Sequence, residues 1–247
     1  MRLRDLAEVD SDSEVTGFAI DHRKVAPGSV FGAFEGAMFN GEDFIPDAVE
    51  RGAVAVVARN EAHAKVPLLG DSEPRRLFAQ LAAKFYGPFP EIVVAVTGTN
   101  GKTSTVEMAR QIWRMSGHRS ASIGTLGVTT SDDQVSTGLT TPDIVTFLNN
   151  MAGLERMGIS HVAYEASSHW LDQHRCEGVP LAAAVAQGWK AAAPLLWQGL
   201  HLIASSARLS FAIRAVARVE WAEDRISCHQ QSYFEGRRVV VSCHAQA

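Results

Sequence analysis

A glycine-rich loop between an apolar run and a helix-forming segment constrains the fold more than any other part of this chain. The apolar run, Ile-Val-Val-Ala-Val over residues 92–96, is typical of a buried parallel strand. Gly98, Gly101 and Lys102 follow it, and residues 103–116 are predicted to form a helix. A strand, a tight loop and a helix in this order predict an α/β domain with a parallel sheet.

The loop has the composition of a phosphate-binding site. Gly98 and Gly101 allow the backbone to turn its N–H groups toward an anion, and the following helix adds its positive dipole end. Lys102 can reach the β- and γ-phosphates of a nucleotide, and the Thr103 hydroxyl can bind Mg²⁺. The spacing Gly-x-x-Gly-Lys-Thr is two residues shorter than the Walker pattern, and the alternative is a glycine-containing turn before a capped helix. The order of the elements favours a nucleoside triphosphate site.

The chain on both sides of the loop alternates between strand and helix patterns. We predict strands over 15–20, 29–34, 53–58 and 161–165, and helices over 42–51, 74–86 and 143–157. The stretch Gly-Pro-Phe-Pro at 87–90 is typical of a domain linker. We therefore predict a small α/β domain over 1–88, followed over 89–185 by the parallel-sheet domain that carries the loop.

The last part of the chain differs in composition from everything before it. Residues 181–247 contain 15 alanines in 67 residues, and no Asp or Glu occurs between Gly178 and Val219 although the whole chain has 27. Its apolar positions follow neither a helical nor a strand period for long. One interpretation is an alanine-rich helical hairpin. The other is a segment that was not selected as protein sequence, for instance after a shift of reading frame.

Composition excludes several classes of protein. The formal net charge of −4 argues against non-specific nucleic-acid binding, and 46% apolar residues argue against disorder. No apolar stretch approaches the roughly 18–20 residues of a membrane span, and the first residues lack the apolar run of a signal peptide. The three cysteines lack metal-ligand spacing and are too few for a disulfide scaffold. We expect a soluble, cytoplasmic protein without nucleic-acid or membrane partners.

Three segments together resemble the Mur ligase family. Residues 97–104, Thr-Gly-Thr-Asn-Gly-Lys-Thr-Ser, resemble the ATP loop of that family, which includes the folylpolyglutamate synthetases. Residues 164–175 are similar to the Glu-x-Ser-Ser-His-Gly-Leu-x-x-x-Arg signature of the UDP-N-acetylmuramoyl-tripeptide synthetases, the members that add the third peptide residue. Residues 21–31 and 36–45 resemble the uridine-nucleotide domain of the same members, so the resemblance covers about residues 10 to 185.

The resemblance implies a UDP-muramoyl substrate domain over 1–88 and a partial central ATP-binding domain over 89–185. It implies catalytic roles for Lys102 and Glu165, and Mg²⁺ binding by Thr103 and Glu165. The residues implied to bind ATP are Gly98, Thr99, Asn100, Gly101, Lys102, Thr103 and Ser104. The residues implied to contact the uridine and muramoyl-peptide parts of the substrate are Ile20, His22, Ala37, Met38, Phe39, Thr140, Thr141, Ser168 and Arg175.

Some of these residues have a plain structural alternative. Glu165 taken alone is a solvated carboxylate at the end of a strand. Thr141 taken alone is the N-cap of a helix that starts after Thr-Thr-Pro. His169 and His174 are either metal or substrate contacts or hydrogen-bonded structural histidines.

The implied reaction is acyl-phosphate ligation in peptidoglycan precursor synthesis. ATP phosphorylates the free carboxylate of UDP-N-acetylmuramoyl-L-alanyl-D-glutamate, and an incoming amino acid, which we expect to be meso-diaminopimelate, displaces phosphate. Catalysis then depends mainly on positioning and on charge neutralisation by Lys102 and Mg²⁺. We expect the protein to act as a monomer.

The sequence departs from the family pattern at three places. His22 stands where the family has serine, and Trp170 stands where the signature has glycine, which is costly if that position has positive φ. After Ala184 the family continues with motifs and a carboxy-terminal domain that this sequence does not match. We therefore expect residues 186–247 to be a frame-shifted or truncated tail and the chain as printed to be catalytically incomplete. The alternatives are a non-catalytic nucleotide-binding remnant and another ligase of the Mur or folylpolyglutamate type.

Overall fold

The computed structural model describes residues 1–36, 39–130, 134–135, 142–167, 170–171, 173–187, 227–234 and 237–244. The chain divides into two units. The first comprises Met1–Gly87 together with Ile144–Leu148, and the second comprises Pro88–Asp143 together with the residues from Asn149 onward. The ligand-binding roles assigned to the domains remain predictions.

The first unit is built on a four-stranded parallel sheet in the order β1-β2-β3-β4. Its strands are β1 (Gly17–Ala19), β2 (Ser29–Gly32), β3 (Ala55–Ala58) and β4 (Leu68–Gly70), and its helices are α1 (Leu3–Leu6), α2 (Ile45–Glu50) and α3 (Pro74–Tyr86). The Phe78 ring of α3 lies edge-on to Phe18 and Phe34, with ring centroids 5.2 and 5.4 Å apart. These aromatic contacts hold α3 against the sheet.

The sequence predicted α3 with its observed bounds, but it did not resolve the segment before α2. A 3₁₀ turn over Gly41–Phe44 precedes α2, where one helix over 42–51 was expected. The Asn40 side chain accepts the Glu42 amide at 3.2 Å and so caps the 3₁₀ turn. Pro46 lies in the first turn of α2, where its missing N–H costs nothing, so the α-helix begins beside it.

The second unit contains a six-stranded sheet in the order β10-β5-β9-β6-β7-β8. Its strands are β5 (Ile92–Gly98), β6 (Ser120–Gly124), β7 (Gly127–Thr129), β8 (Gln134–Val135), β9 (His161–Glu165) and β10 (Ala183–Gln187). The four strands from β10 to β6 are parallel, as predicted, whereas β7 and β8 add an antiparallel edge that the sequence did not predict. The helices are α4 (Lys102–Met115) and α5 (Ile144–Arg156), whose first five residues fall in the first unit.

A polar cluster joins α4 to β6. Arg110, only 7% exposed, forms an ion pair with Glu107 one turn earlier and donates to the Thr130 carbonyl at 3.2 Å. Ser122 of β6 donates to the Glu107 carboxylate at 3.1 Å, and Ser120 donates to the Arg110 carbonyl at 2.8 Å. The helix that follows the loop is thereby fixed to the sheet by paired polar groups as well as by apolar packing.

The described part of the tail is β-structure. Strand β10 pairs in parallel with β5 from Ala183 opposite Val94 to Gln187 opposite Gly98, so the sheet extends past the predicted limit at 185. Beyond it, β11 (Ser227–Phe234) and β12 (Arg237–His244) form an antiparallel hairpin, which for these residues replaces the helical alternative. The prediction for residues 188–226 lies outside the described residues. Among the described residues, no helix is both long and apolar enough to cross a membrane.

Candidate nucleotide and magnesium site

The predicted phosphate loop connects the carboxyl end of β5 to the start of α4. Gly98 has φ +143° and Gly101, the residue before the helix, has φ +80°, conformations that strain a residue with a side chain. Because Gly101 has no side chain to cap α4, the first-turn amide groups of the helix remain available to an anion. Thr99, Asn100 and Ser104 are exposed beside them. Two glycines with positive φ and an uncapped helix start are the features that we expect of a phosphate-binding loop.

The Lys102 side chain folds back across this loop. Its ammonium group donates to the Gly98 carbonyl oxygen at 2.7 Å. The side chain is half-buried, so the charge is held over the loop rather than extended into solvent. A phosphate in the loop would meet a lysine that is already close to its place.

Glu165 lies next to the loop because its strand is the neighbour of β5. Strands β5 and β9 pair in parallel with Val96 opposite Glu165, and the Ala166 amide donates to the Val96 carbonyl at 2.8 Å. The Glu165 carboxylate accepts the Thr125 amide at 2.9 Å on Oε1 and the Thr125 hydroxyl at 3.4 Å on Oε2. The carboxylate thus stands at the carboxyl edge of the parallel strands, where ligands of such sheets bind.

The donor groups around the loop fit Mg²⁺. Thr103 would supply a hydroxyl oxygen from the first turn of α4 and Glu165 a carboxylate, the hard oxygen ligands that this ion prefers. Within the described residues there is no group of three or more His, Cys, Asp or Glu side chains that could hold a metal. Mg²⁺ in proteins commonly takes its remaining ligands from substrate phosphates and water.

Trp170 is accommodated at the position where a glycine was expected. Within the described residues, His174 is the one non-glycine residue with positive φ, at +53°, so Trp170 is free of the left-handed strain that we considered. Its ring is 1% exposed and meets the Tyr164 ring edge-on at 5.4 Å, and its indole N–H donates to the Pro142 carbonyl at 3.1 Å. Trp170 is therefore a core residue of the second unit.

Arg175 lies beside Trp170 and shares its acceptor. Its guanidinium donates to the Pro142 carbonyl at 3.4 Å and to the Gln173 side chain at 2.8 Å. Burial lowers the pKa of Arg175 from its usual value, with Asp143 acting in the opposite direction. The residue remains a cation, so it keeps the charge that a carboxylate or diphosphate contact needs.

The surroundings of His174 and Cys176 favour structural roles for both residues. The His174 ring lies 2.7 Å from the Glu177 carboxylate, which supports the structural alternative for this histidine. Burial raises the pKa of the Cys176 thiol to about 11, so it is a neutral thiol at physiological pH and a poor nucleophile.

His22, one of the predicted uridine contacts in the first unit, stands where the family has serine. The Asp21 carboxylate accepts the Arg23 amide and pairs with its guanidinium at 2.8 Å, which lowers the pKa of Asp21 to about 2. His22 stacks on the Phe44 ring with centroids 4.4 Å apart and planes 4° from parallel. A serine hydroxyl is thus replaced by an aromatic surface.

The remaining predicted contacts are only partly described. Ile20 is half-buried, and Phe39 is 68% exposed, with its carbonyl accepting the Gly36 amide at 2.9 Å. An exposed phenylalanine is free to contact a ligand. The predicted residues that lie outside the described residues are Ala37, Met38, Thr140, Thr141, Ser168 and His169.

The structure adds two residues to the site that the sequence did not single out. Gly124, the last residue of β6, and Thr125, the residue after it, contact the Glu165 carboxylate. Thr125 lies forty residues from Glu165 in the chain and Gly124 one residue farther, and β6 joins β9 in parallel to bring them together. The one available signal was the Gly-Thr-Leu-Gly stretch at 124–127, which predicts only a turn.

Family models match both units. A model described as the Mur ligase middle domain matches residues 96–187, and one described as the Mur ligase family catalytic domain matches residues 14–86. Together these matches include the phosphate loop, Glu165 and the first-unit segments that carry the predicted uridine contacts.

Individual relatives agree with these matches. The chain is 55% identical over 180 residues to the UDP-N-acetylmuramoyl-L-alanyl-D-glutamate–2,6-diaminopimelate ligase of Zymomonas mobilis, covering 72% of this chain and 37% of that protein. It is 47% identical over 171 residues to the protein of the same name from Agrobacterium fabrum, covering 69% and 35%. A solved structure of a ligase of this name superposes with a TM-score of 0.71 at 22% identity, over 83% of this chain and 45% of that one. The chain thus spans little more than a third of the length of the curated relatives.

Proposed function

This chain belongs to the Mur ligase family, and we propose that it serves the ATP-dependent ligation of 2,6-diaminopimelate to UDP-N-acetylmuramoyl-L-alanyl-D-glutamate. The observation that carries the proposal is the phosphate loop of residues 98–104 with Glu165 beside it on the neighbouring parallel strand. The names of the relatives favour diaminopimelate over lysine as the added amino acid. As a step of peptidoglycan precursor synthesis that consumes ATP, the reaction belongs in the cytoplasm.

The residues of the loop would bind and orient the triphosphate. The backbone N–H groups from Gly98 to the first turn of α4 would surround the β-phosphate, and Lys102 would move its ammonium group from the Gly98 carbonyl to the phosphates. Thr103 and Glu165 would hold Mg²⁺, which when bound neutralises phosphate charge. Holding the γ-phosphate in line with the substrate carboxylate is what allows the acyl phosphate to form.

The substrate's glutamate carboxylate would be the group that is activated. A carboxylate oxygen is a poor leaving group, and its phosphorylation gives a carbonyl that the amine of the incoming amino acid can attack with loss of phosphate. Arg175 supplies a fixed cation of the kind that binds carboxylates and diphosphates. His22 and Phe39 offer aromatic surfaces that suit the uracil ring.

Binding of two nucleotide sugars tests this assignment. Calorimetric titration should show that UDP-N-acetylmuramoyl-L-alanyl-D-glutamate binds more tightly than UDP-N-acetylmuramoyl-L-alanine. The terminal glutamate adds a charge-assisted contact of about 1.5–3 kcal/mol, which is at least about tenfold in affinity. Equal affinity for the two compounds, or tighter binding of the shorter one, would instead favour a family member that acts at another step.

A further inference from the structure

We propose that Gly124 and Thr125 are positioning residues that hold the Glu165 carboxylate in place for magnesium, a proposal that rests on the function proposed above. Gly124 is the last residue of β6 and Thr125 follows it, and β6 pairs in parallel with β9 up to Ile123 opposite Tyr164. Glu165 is the last residue of β9. Its backbone is therefore fixed by the sheet, whereas its side chain needs a second point of attachment.

Gly124 provides the space that the Glu165 side chain occupies. A Cβ atom built on Gly124 would lie 2.1 Å from Oε1 of Glu165 and 2.7 Å from its Cδ and Cγ atoms. These distances are far below van der Waals contact, so the carboxylate and a side chain at position 124 cannot occupy the same place. Gly124 has no positive φ, which means that the requirement is for space and not for an unusual backbone conformation.

Thr125 provides the hydrogen bonds that orient the carboxylate. Its amide N–H donates to Oε1 at 2.9 Å, and its hydroxyl lies 3.4 Å from Oε2. The short contact fixes one oxygen, and the long contact leaves Oε2 only weakly engaged by the described residues. A carboxylate oxygen has more than one lone pair. Oε2 can therefore accept the Thr125 hydroxyl and still bind a cation, while Oε1 stays bonded to the Thr125 amide. Partners of this kind set the orientation of a metal ligand.

The chain offers a matched control among its other glycines. Gly153 lies in α5, and a Cβ built on it would meet nothing closer than the Arg156 side chain at 4.0 Å. A Gly153→Ala variant therefore makes the same chemical change in the same unit without crowding any group of the site. It should fold at least as well as the wild type, since alanine favours helices.

The test measures ATP affinity by calorimetry with and without Mg²⁺ in the full 247-residue chain. In the wild type and in Gly153→Ala we expect Mg²⁺ to strengthen ATP binding. In Gly124→Ala this gain should fall by about 10- to 100-fold, the usual effect of losing a partner that orients a metal ligand. The affinity for ATP without Mg²⁺ should stay unchanged, because the phosphate loop is untouched.

A double variant separates positioning from general damage to the fold. Glu165→Asp shortens the side chain by one methylene, which withdraws its carboxylate from the added methyl group at position 124. We therefore expect Gly124→Ala to have little further effect on the Mg²⁺ gain in the Glu165→Asp background, a non-additive result.

Two outcomes would overturn the proposal, and they differ from failure of the proposed function. An unchanged Mg²⁺ gain in Gly124→Ala, or additive losses in the double variant, would show that Gly124 does not act through Glu165. If the wild type itself shows no gain from Mg²⁺, the magnesium site of the proposed function is wrong, and this proposal falls with it.

Discussion

Trp170 is a large buried residue at a position where the family signature has glycine. Its ring fills the core beside Tyr164, and its indole N–H satisfies the Pro142 carbonyl. Both observations concern packing and not ligand contact. Trp170 therefore contributes to the stability of the second unit.

Restoring the expected glycine at this position should destabilise the protein. Trp170→Gly would leave a cavity in place of a buried ring, at a cost of about 3–5 kcal/mol in the free energy of unfolding. Trp170→Phe keeps most of the apolar volume and loses the indole hydrogen bond, so its cost should be about 1 kcal/mol. Urea unfolding of the two variants checks the order of these costs. A glycine variant as stable as the wild type would show that Trp170 is not a core residue.

The position of Glu165 could be predicted from the sequence, but the contacts of its carboxylate could not. The sequence placed Glu165 at a strand end, and the structure has it there. Its partners Gly124 and Thr125 could not be predicted, because they come from a strand that lies forty residues away and carries little strand signal. A contact between distant segments is set by the register of the sheet, which a local pattern does not contain.

Segments with strong apolar periodicity were predicted with the correct helix or strand bounds. Segments rich in small residues were not. Helix α3 and strand β9 have the bounds expected from their apolar spacing. Strands β6 and β10 were missed because Ser-Ala-Ser-Ile-Gly and Ala-Ala-Val-Ala-Gln contain few of the β-branched and aromatic residues that mark strands. Both strands form because they pair with neighbours in the sheet, so their structure comes from tertiary context.

The polar cluster between α4 and β6 should make stability depend on pH. The Arg110 guanidinium lowers the pKa of Glu107 to about 2, with help from Gln111 and Ser122 and against the effect of burial. A carboxyl whose folded pKa lies below its unfolded value of 4.5 stabilises the fold above pH 4.5. That contribution is lost as pH falls from about 4.5 toward 2.

A Glu107→Gln variant should lose this stabilisation and its dependence on pH. At pH 7 we expect a loss of about 2–3 kcal/mol, because the buried Arg110 keeps its charge without its ionised partner. The difference from the wild type should shrink as pH is lowered from 4.5. Chemical unfolding at pH 7 and at pH 3 gives both quantities. If the two proteins differ in unfolding free energy by the same amount at both pH values, the ionised Glu107 carboxylate does not stabilise the fold.

The two units of the chain match models of two Mur ligase domains, and the chain spans about a third of the length of its curated relatives. The phosphate loop and the strand that carries Glu165 lie together in the second unit. Nucleotide binding should therefore be a property of this chain by itself, whatever further parts the ligation requires.

Calorimetric titration with ATP and Mg²⁺ tests whether this chain binds the nucleotide through its phosphate loop. We expect binding in the wild type and a loss of about 1.5–3 kcal/mol in Lys102→Ala, roughly 10- to 150-fold in affinity, because a charge-assisted phosphate contact is removed. Lys65→Ala, which removes an exposed lysine elsewhere, should bind ATP like the wild type. Equal affinity in the wild type and Lys102→Ala, or no binding by a folded wild-type chain, would show that this loop is not an ATP site of the chain.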